Sequence, residues 1–355
     1  MSAAATTRLL YEQPQLPIFQ NRMYDSIEQA RGCPRGDLQL VEDLATGLVY
    51  NAAFRPELMH YDDHYQNEQG VSPLFHAHLE SVADIIERQV GRGSLIEVGC
   101  GKGYFLELLT ARGFEITGFD PTYEGTNPRV RRHYFAPGVG MRADALVLRH
   151  VLEHVQNPYQ FLDQLRIANG GSGLIYIEVP CFEWICQHRV WFDIYYEHVN
   201  YFRISDFQRM FGTVLESGRL FGEQYLYAVA DLASLHPPQR DAGAPVEFPP
   251  DFMARLNGSG GAPGTRTAIW GGASKGVIFA LLKERAGTPV STVIDINPAK
   301  QGKYLAATGL RVQAPAEALA HLPAGSTIFV MNSHYLEEIR KMSANKFRYV
   351  GVDHE

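Results

Sequence analysis

The sequence predicts an α/β protein with parallel, doubly wound sheets, and three observations carry that prediction. From about residue 73 onward, short apolar runs alternate with runs of helical periodicity, an order that indicates a parallel sheet covered on both faces. Two of the strand–helix junctions are glycine turns, at Gly99–Gly103 and at Gly271–Gly276. Between them lie LHPPQRDAGAPVEFPP and NGSGGAPGT, compositions of loops and linkers. At about 100–200 residues per domain, 355 residues suit two or three domains. The boundaries read as a small N-terminal module over 1–72, a central α/β domain over 73–235, a linker over 236–266 and a second, smaller α/β domain over 267–355.

Residues 1–70 read as short segments with mixed turn signals, and GDLQLVEDLATGLVYN reads as two short strands around a turn near Ala45–Gly47. A helix follows from Pro73 to about Val90. Its apolar residues Leu74, Phe75, Leu79, Val82, Ile85 and Ile86 recur at helical spacing, with Ser72 as N-cap and Pro73 at the first position. The alternation then runs strand SLIEV, glycine turn, helix YFLELLTAR, strand FEITGFD, strand ADALVL, helix PYQFLDQLRIA and strand GLIYIEV. TVLESGRLFGEQ and YLYAVADLA supply two final strands. Beyond the linker come strand TAIW, turn GGASKG, helix VIFALLKE, strands STVIDI and TIFVMN, and helix HYLEEIRKM.

Composition excludes several classes. A chain this long buries about three quarters of its unfolded surface and needs no disulfide or metal staple. The net charge of -7 argues against nucleic-acid binding, which needs clustered Lys and Arg. No run of 18 apolar residues occurs and no signal peptide opens the chain, so the expected location is the cytoplasm. The four cysteines form no C-x-x-C pair, which disfavours a zinc ribbon.

The first turn reads Glu97-Val98-Gly99-Cys100-Gly101-Lys102-Gly103, between a strand and a helix. Glycines at alternate positions let the backbone turn sharply and approach a ligand. Asp120 ends the next strand, where an acid can accept from ribose hydroxyls. Glycines spaced G-x-G-x-G, with Glu97 beside them, favour S-adenosylmethionine over NAD. A carboxylate there repels a pyrophosphate but suits the cationic sulfonium and amino group. The bland alternative is a tight turn with no ligand.

Three further stretches carry titratable groups. In LRHVLEHV, His150 and His154 lie four apart and share a helical face. A metal reading is weak because no third ligand is evident nearby, and no metal is expected. In CFEWICQHRVWFDIYYEHVNYFR, aromatic residues crowd around Tyr195, Glu197 and His198, which could supply a phenol donor, an orienting acid and a base. The alternative is a packed aromatic cluster. In Trp270–Gly276, helix-start N–H groups and Lys275 favour an anion such as a diphosphate, with Gly272 in the turn. Interdomain packing explains that short motif equally well.

These residues together resemble the bacterial nucleotide-sugar C-methyltransferases of deoxysugar pathways, of the kind that branch tetronitrose, mycarose and noviose. The resemblance covers most of the chain from about Cys33 onward. VGCGKG with GFDP, FDIYYEHVNYF, HVLEHV, and WGGASKG with VIDINPAKQGKY carry it. It implies a class I S-adenosylmethionine methyltransferase fold, a Rossmann-like doubly wound sheet, with a small N-terminal module and a C-terminal Rossmann-like domain. It implies S-adenosylmethionine as cofactor, bound by Gly99, Gly101, Gly103 and Asp120, with Glu97 and His150 as further candidate contacts. It places catalysis on Tyr195, His198 as general base, His154 and Glu197. It implies a sugar-nucleotide substrate, contacted by Tyr196, Arg203, Gly272 and Lys275, no nucleic-acid or membrane partner, and leaves room for a homo-oligomer.

Two departures stand out. The family's zinc module uses two close cysteine pairs, but only Cys33 is present here, and Asp43 and Thr46 stand where the second pair would be. A metal-free module held by packing is therefore expected. Tyr196 and Arg203 replace a His and a Ser of the family pattern. Those changes keep open an O- or N-methyltransferase acting on a sugar or other small molecule. A non-catalytic nucleotide-sugar binding protein is the alternative from another class, and Glu97 argues against an NAD-dependent oxidoreductase.

Overall fold

The computed structural model describes residues 6–59, 72–258 and 265–353. Residues 1–5, the approach to the expected 72/73 boundary and most of NGSGGAPGT lie outside the described residues.

The N-terminal region holds strand β1 (Thr7–Pro17), a one-turn helix α1 (Ile27–Arg31), β2 (Arg35–Asp43) and β3 (Val49–Asn51). The mixed turn signals concealed β1, which contains Pro14. A proline is tolerated there because β1 is an edge strand and its register slips between Gln13 and Leu16. The expected turn between β2 and β3 is held by Asp43, whose Oδ1 accepts from the N–H groups of Ala45 at 2.7 Å and Thr46 at 3.2 Å. Buried Glu42 takes Arg8 at 2.7 Å and Arg240 at 2.8 Å; despite its burial, those hydrogen-bonded guanidiniums hold its carboxyl below the ordinary value.

The central region begins with α2 (Pro73–Val90), whose N-cap Ser72 accepts from Leu74 N–H at 3.2 Å. Phe75, Leu79, Val82, Ile85 and Ile86 are buried, as the periodicity requires. Each such side chain contributes about 1.5–3 kcal/mol. There follow β4 (Leu95–Val98), α3 (Tyr104–Ala111), β5 (Ile116–Phe119), β6 (Val130–Arg131), β7 (Ala145–Arg149), α4 (Pro158–Ala168) and β8 (Leu174–Pro180). Next come α5 (Phe182–His188), β9 (Asn200–Tyr201), α6 (Ile204–Met210), β10 (Val214–Leu220) and β11 (Tyr225–Asp231). The sheet order is β10-β11-β8-β7-β4-β5-β6. All pairs from β8 to β6 are parallel, and β11 alone runs against its two neighbours. Strand β4 is buried along its whole length, which explains its unbroken apolar reading apart from Glu97.

The short strand β9 does not join this sheet. It pairs with β3, giving the N-terminal sheet the order β1-β2-β3-β9. The expected linker is loop in its first part, yet packed. Phe248 and Phe252 meet Tyr11 at ring distances of 6.0 and 5.4 Å. The segment closes with the one-turn helix α7 (Arg255–Gly258).

The C-terminal region comprises β12 (Thr267–Trp270), α8 (Lys275–Arg285), β13 (Thr292–Ile294), β14 (Val312–Gln313), α9 (Pro315–His321), β15 (Thr327–Val330), α10 (Leu336–Met342) and β16 (Arg348–Gly351). Its sheet is parallel throughout, in the order β14-β13-β12-β15-β16. Helix α8 is buried from Gly276 to Lys283 because its outer side packs on the central region, with Phe279 stacked on Trp191 at 5.2 Å and 13°. The carboxyl ends of β4, β7 and β8 and of β12, β13 and β15 therefore face one shared cavity.

Candidate active site

The cavity has a volume of about 650 Å³ and takes its wall from all three regions. In doubly wound sheets, ligands bind at the carboxyl ends of the strands, and both sheets turn those ends to this cavity.

In the first glycine turn, Gly99, Gly101 and Gly103 have φ of 74°, 52° and 83°, a region that favours glycine. A Cβ on Gly101 would meet open space, whereas one on Gly99 would strike Val151 Cγ2 at 2.5 Å. Gly101 therefore opens toward the ligand side and Gly99 serves packing. Asp120 and Gly103 do not form part of the cavity wall. One Asp120 oxygen accepts from Gly101 N–H at 2.8 Å, and the other accepts from Thr122 N–H and hydroxyl at 2.8 and 2.7 Å. Its carboxylate thus braces the turn.

Glu97 does reach the wall, 3% exposed, and its Oε2 is buried without a hydrogen-bond partner among the described residues. Burial pushes its carboxyl up to about 8, with Arg149 opposing and Asp120 reinforcing the shift. An unsatisfied buried carboxyl beside a glycine cradle fits a cationic ligand. The turn and Glu97 fit S-adenosylmethionine.

At the end of β7 lies a buried charge network that the sequence did not reveal. Glu178 Oε1 is 2.9 Å from Arg149 Nη2 and 3.1 Å from both His78 Nε2 and His150 Nε2. Burial alone would raise the Glu178 carboxyl, but Arg149, His150 and His78 hold it well below the carboxylate range. His150 has φ 52°, and its Nδ1 lies 3.3 Å from Glu153 Oε1. Burial opposes its charge, yet the Glu153 and Glu178 carboxylates outweigh it and lift its pKa to about 9. His150 is on the cavity wall as an imidazolium.

The aromatic segment after β8 brings Asp193, Tyr195, Glu197 and His198 to the wall. Val199 N–H donates to Glu153 O at 2.7 Å, and Asn51 N–H to Val199 O at 2.7 Å, so the segment is held between the β7 loop and the N-terminal sheet. The Tyr201 hydroxyl accepts from Tyr195 N–H at 3.0 Å and donates to Tyr195 O at 3.1 Å, fixing that residue. The His198 ring is 4.2 Å from Tyr195 and 4.9 Å from His154. Burial, aided by the charges of His154, His150 and Lys275, holds His198 well below the ordinary histidine value, so it stays neutral. Burial also keeps the Tyr195 phenol protonated. Glu197 Oε1 accepts from Gln20 N–H at 3.1 Å, and its main-chain oxygen meets His154 Nδ1 at 2.9 Å.

Three residues expected to contact substrate are not on the cavity wall. Tyr196 is fully buried away from the cavity, with its hydroxyl accepting from Arg55 N–H at 2.8 Å and its ring against Phe54. Tyr196 and Glu197 form a turn closed by His198 N–H donating to Tyr195 O at 3.3 Å, and the turn sets Tyr196 against Gly36 and Phe54 while Tyr195 lines the cavity. Arg203 starts α6, donating from Nη2 to Asp206 Oδ1 at 2.8 Å and to Gly47 O at 2.7 Å, also off the wall. Gly272 is behind the wall and donates to Asp295 Oδ2 at 2.8 Å. Lys275, by contrast, lines the cavity; its Nζ is 3.0 Å from Asp193 Oδ2 and 5.1 Å from the Trp184 ring centroid. Lys300 is a second cation on this wall, which the sequence reading left without a role.

The expectation of no third ligand near His154 also changes. Glu153, His154 and His198 each offer a donor atom, and these atoms lie within 4.8 Å of one another.

Residues 73–214 match the family model described as a methyltransferase domain. No curated protein matches the chain. Among solved structures, the chain is similar to the Burkholderia thailandensis 1,6-didemethyltoxoflavin-N1-methyltransferase, which holds S-adenosylhomocysteine, at 16% identity and TM-score 0.34, over 44% of this chain and 78% of that one. It is similar to the N-methyltransferase NodS from Bradyrhizobium japonicum at 15% identity and TM-score 0.33, over 45% and 97%. It is similar to a SAM-dependent methyltransferase from Archaeoglobus fulgidus at 18% identity and TM-score 0.32, over 43% and 94%. Among the described residues, no helix is long and apolar enough to cross a membrane. Residues 73–214, which supply Glu97, the glycine turn and the His154–His198 pair, match a methyltransferase domain, and their parallel-dominated doubly wound sheet is the α/β architecture expected of one.

Proposed function

We propose that this enzyme methylates a nucleotide-linked keto sugar at the carbon beside the ketone. The observation that carries the reading is the meeting of Tyr195, His198 and His154 on one wall of the cavity that also holds the cofactor turn. S-adenosylmethionine supplies an electrophilic methyl group. A ketone acidifies the neighbouring C–H, and the neutral His198 imidazole accepts that proton. The Tyr195 phenol donates to the oxygen on which negative charge grows, and His154 packs beside His198 on the same wall. Glu97 would hold the cationic end of the cofactor. Glu197, tied to Gln20 and to His154, sets the position of this wall.

Lys275, Lys300 and the turn at Gly271 support a sugar nucleotide as the substrate, since cations and helix-start N–H groups favour a diphosphate. Tyr196 and Arg203 are off the cavity, so their departure from the family pattern does not by itself favour O- or N-methylation. The test is turnover of keto-sugar nucleotides by His198→Ala and Tyr195→Phe. Both should bind S-adenosylmethionine normally and lose turnover; full activity in both overturns the assignment. Product NMR separates C-methyl from O-methyl.

A further inference from the structure

One corner of the cavity wall gathers donor atoms that the acid–base reading leaves unused. Glu153 is 1% and His198 6% exposed, and both line the cavity with His154. Glu153 uses Oε1 on His150, while its Oε2 is buried with no hydrogen-bond partner among the described residues. His198 Nδ1 is buried and unpartnered in the same sense. His154 Nδ1 meets the Glu197 carbonyl, which only accepts, so Nδ1 carries the proton and Nε2 keeps the lone pair.

Each of these details is what a bound cation requires. A metal-ligating imidazole donates its other N–H to a carbonyl or carboxylate, and a ligating carboxylate is itself hydrogen-bonded. Here Glu197 O serves His154, and His150 serves Glu153. Three convergent lone pairs are satisfied together by one cation. Two imidazoles and one carboxylate suit Zn²⁺ or another first-row ion with open positions, rather than Mg²⁺ or Ca²⁺, which prefer oxygen. Metal bonds of about 2.0–2.2 Å bring such donors closer together than their 4.8 Å limit, a movement within side-chain rotation.

We propose that Glu153, His154 and His198 bind one divalent first-row transition-metal ion, with its open coordination positions facing the cavity. The site goes beyond the sugar-methylation reading and constrains it. A neutral imidazole has one lone pair, so His198 holds either the ion or the substrate proton. Occupancy therefore suppresses turnover by the base route.

The experiment is titration of the chelator-stripped full-length protein with Co²⁺, followed by visible absorption, equilibrium dialysis and proton NMR. One Co²⁺ per chain is expected, displaced by Zn²⁺, with two paramagnetically shifted imidazole signals. Glu153→Gln and His154→Ala should each weaken binding at least tenfold. Absence of binding, absence of shifted imidazole signals, or unchanged affinity in both variants overturns the site. The imidazole signals are read on the wild type, so they decide even where a variant fails to fold. Turnover that rises with Co²⁺ occupancy overturns the competition at His198. Cobalt binding needs no sugar, so its failure is distinct from failure of the substrate reading.

Discussion

Lys275 at the start of the C-terminal helix α8 forms an ion pair with Asp193 of the aromatic segment, Nζ to Oδ2 at 3.0 Å. The side chains are 17% and 8% exposed, so the pair is largely shielded from water. It ties the second glycine turn to the aromatic segment along one cavity wall.

Lys275→Met should therefore cost about 2–4 kcal/mol, because Asp193 keeps its charge and loses its partner in a buried place. Asp193→Asn in the same chain should recover part of that loss. Denaturant unfolding of the two single variants and the double variant measures the coupling.

Glu97, proposed to face S-adenosylmethionine, should make its binding pH-dependent. With its carboxyl raised to about 8, it is mostly protonated at pH 7 in the free protein. A cationic cofactor drives its ionisation, so binding releases protons at pH 7 and tightens as pH rises from 6 to 9. Calorimetry in buffers of different ionisation enthalpy reads the release, and Glu97→Gln should abolish it. For stability the sign is opposite. The raised carboxyl contributes stability that is complete below its unfolded value of 4.5 and lost as pH rises through about 8. Glu97→Gln should gain on the wild type at pH 9.

Glu178 holds Arg149 and His150 charged in a buried place. Glu178→Gln should destabilise the protein by about 3–5 kcal/mol. Removing this partner should also bring the His150 pKa down from about 9 toward its ordinary 6.5, as read by imidazole NMR. In the wild type, the raised His150 contributes stability that is complete below 6.5 and lost as pH rises through about 9.

Tyr196 is a packing residue, and two variants show it. Tyr196→Phe should lose the hydrogen bond from Arg55 N–H, about 1 kcal/mol, with the KM for the proposed sugar-nucleotide substrate unchanged. Gly36→Ala would drive a Cβ to 2.2 Å from the Tyr196 ring. That overpacking should cost about 1–3 kcal/mol, with increased proteolysis of the N-terminal sheet.

The elements most legible in the sequence are those with a local signal. Helix α2 was readable to its ends because Ser72, Pro73 and the apolar spacing agree. The glycine turn at Gly99–Gly103 was legible because positive φ and close approach demand glycine, whereas the burial of Glu97 was not. Strand β1 was hidden by Pro14, and β9 by its length of two residues and its partner outside the central sheet. Glu178 and Arg149 read as strand residues, since nothing local marks a charge network between neighbouring strands.

By itself the sequence determined the alternating parallel architecture, the glycine turn after β4 and the residue types that crowd the candidate site. Those depend on periodicity, turn chemistry and charge, which act over a few neighbouring residues. Only the tertiary structure decided which side chains face one another. It turned Tyr195 to the cavity and Tyr196 away, brought His154 and Glu153 beside His198, and laid the aromatic segment between β3 and the β7 loop. The reason is physical: that segment has no regular period, so its side chains are oriented by long-range contacts that a local pattern cannot encode.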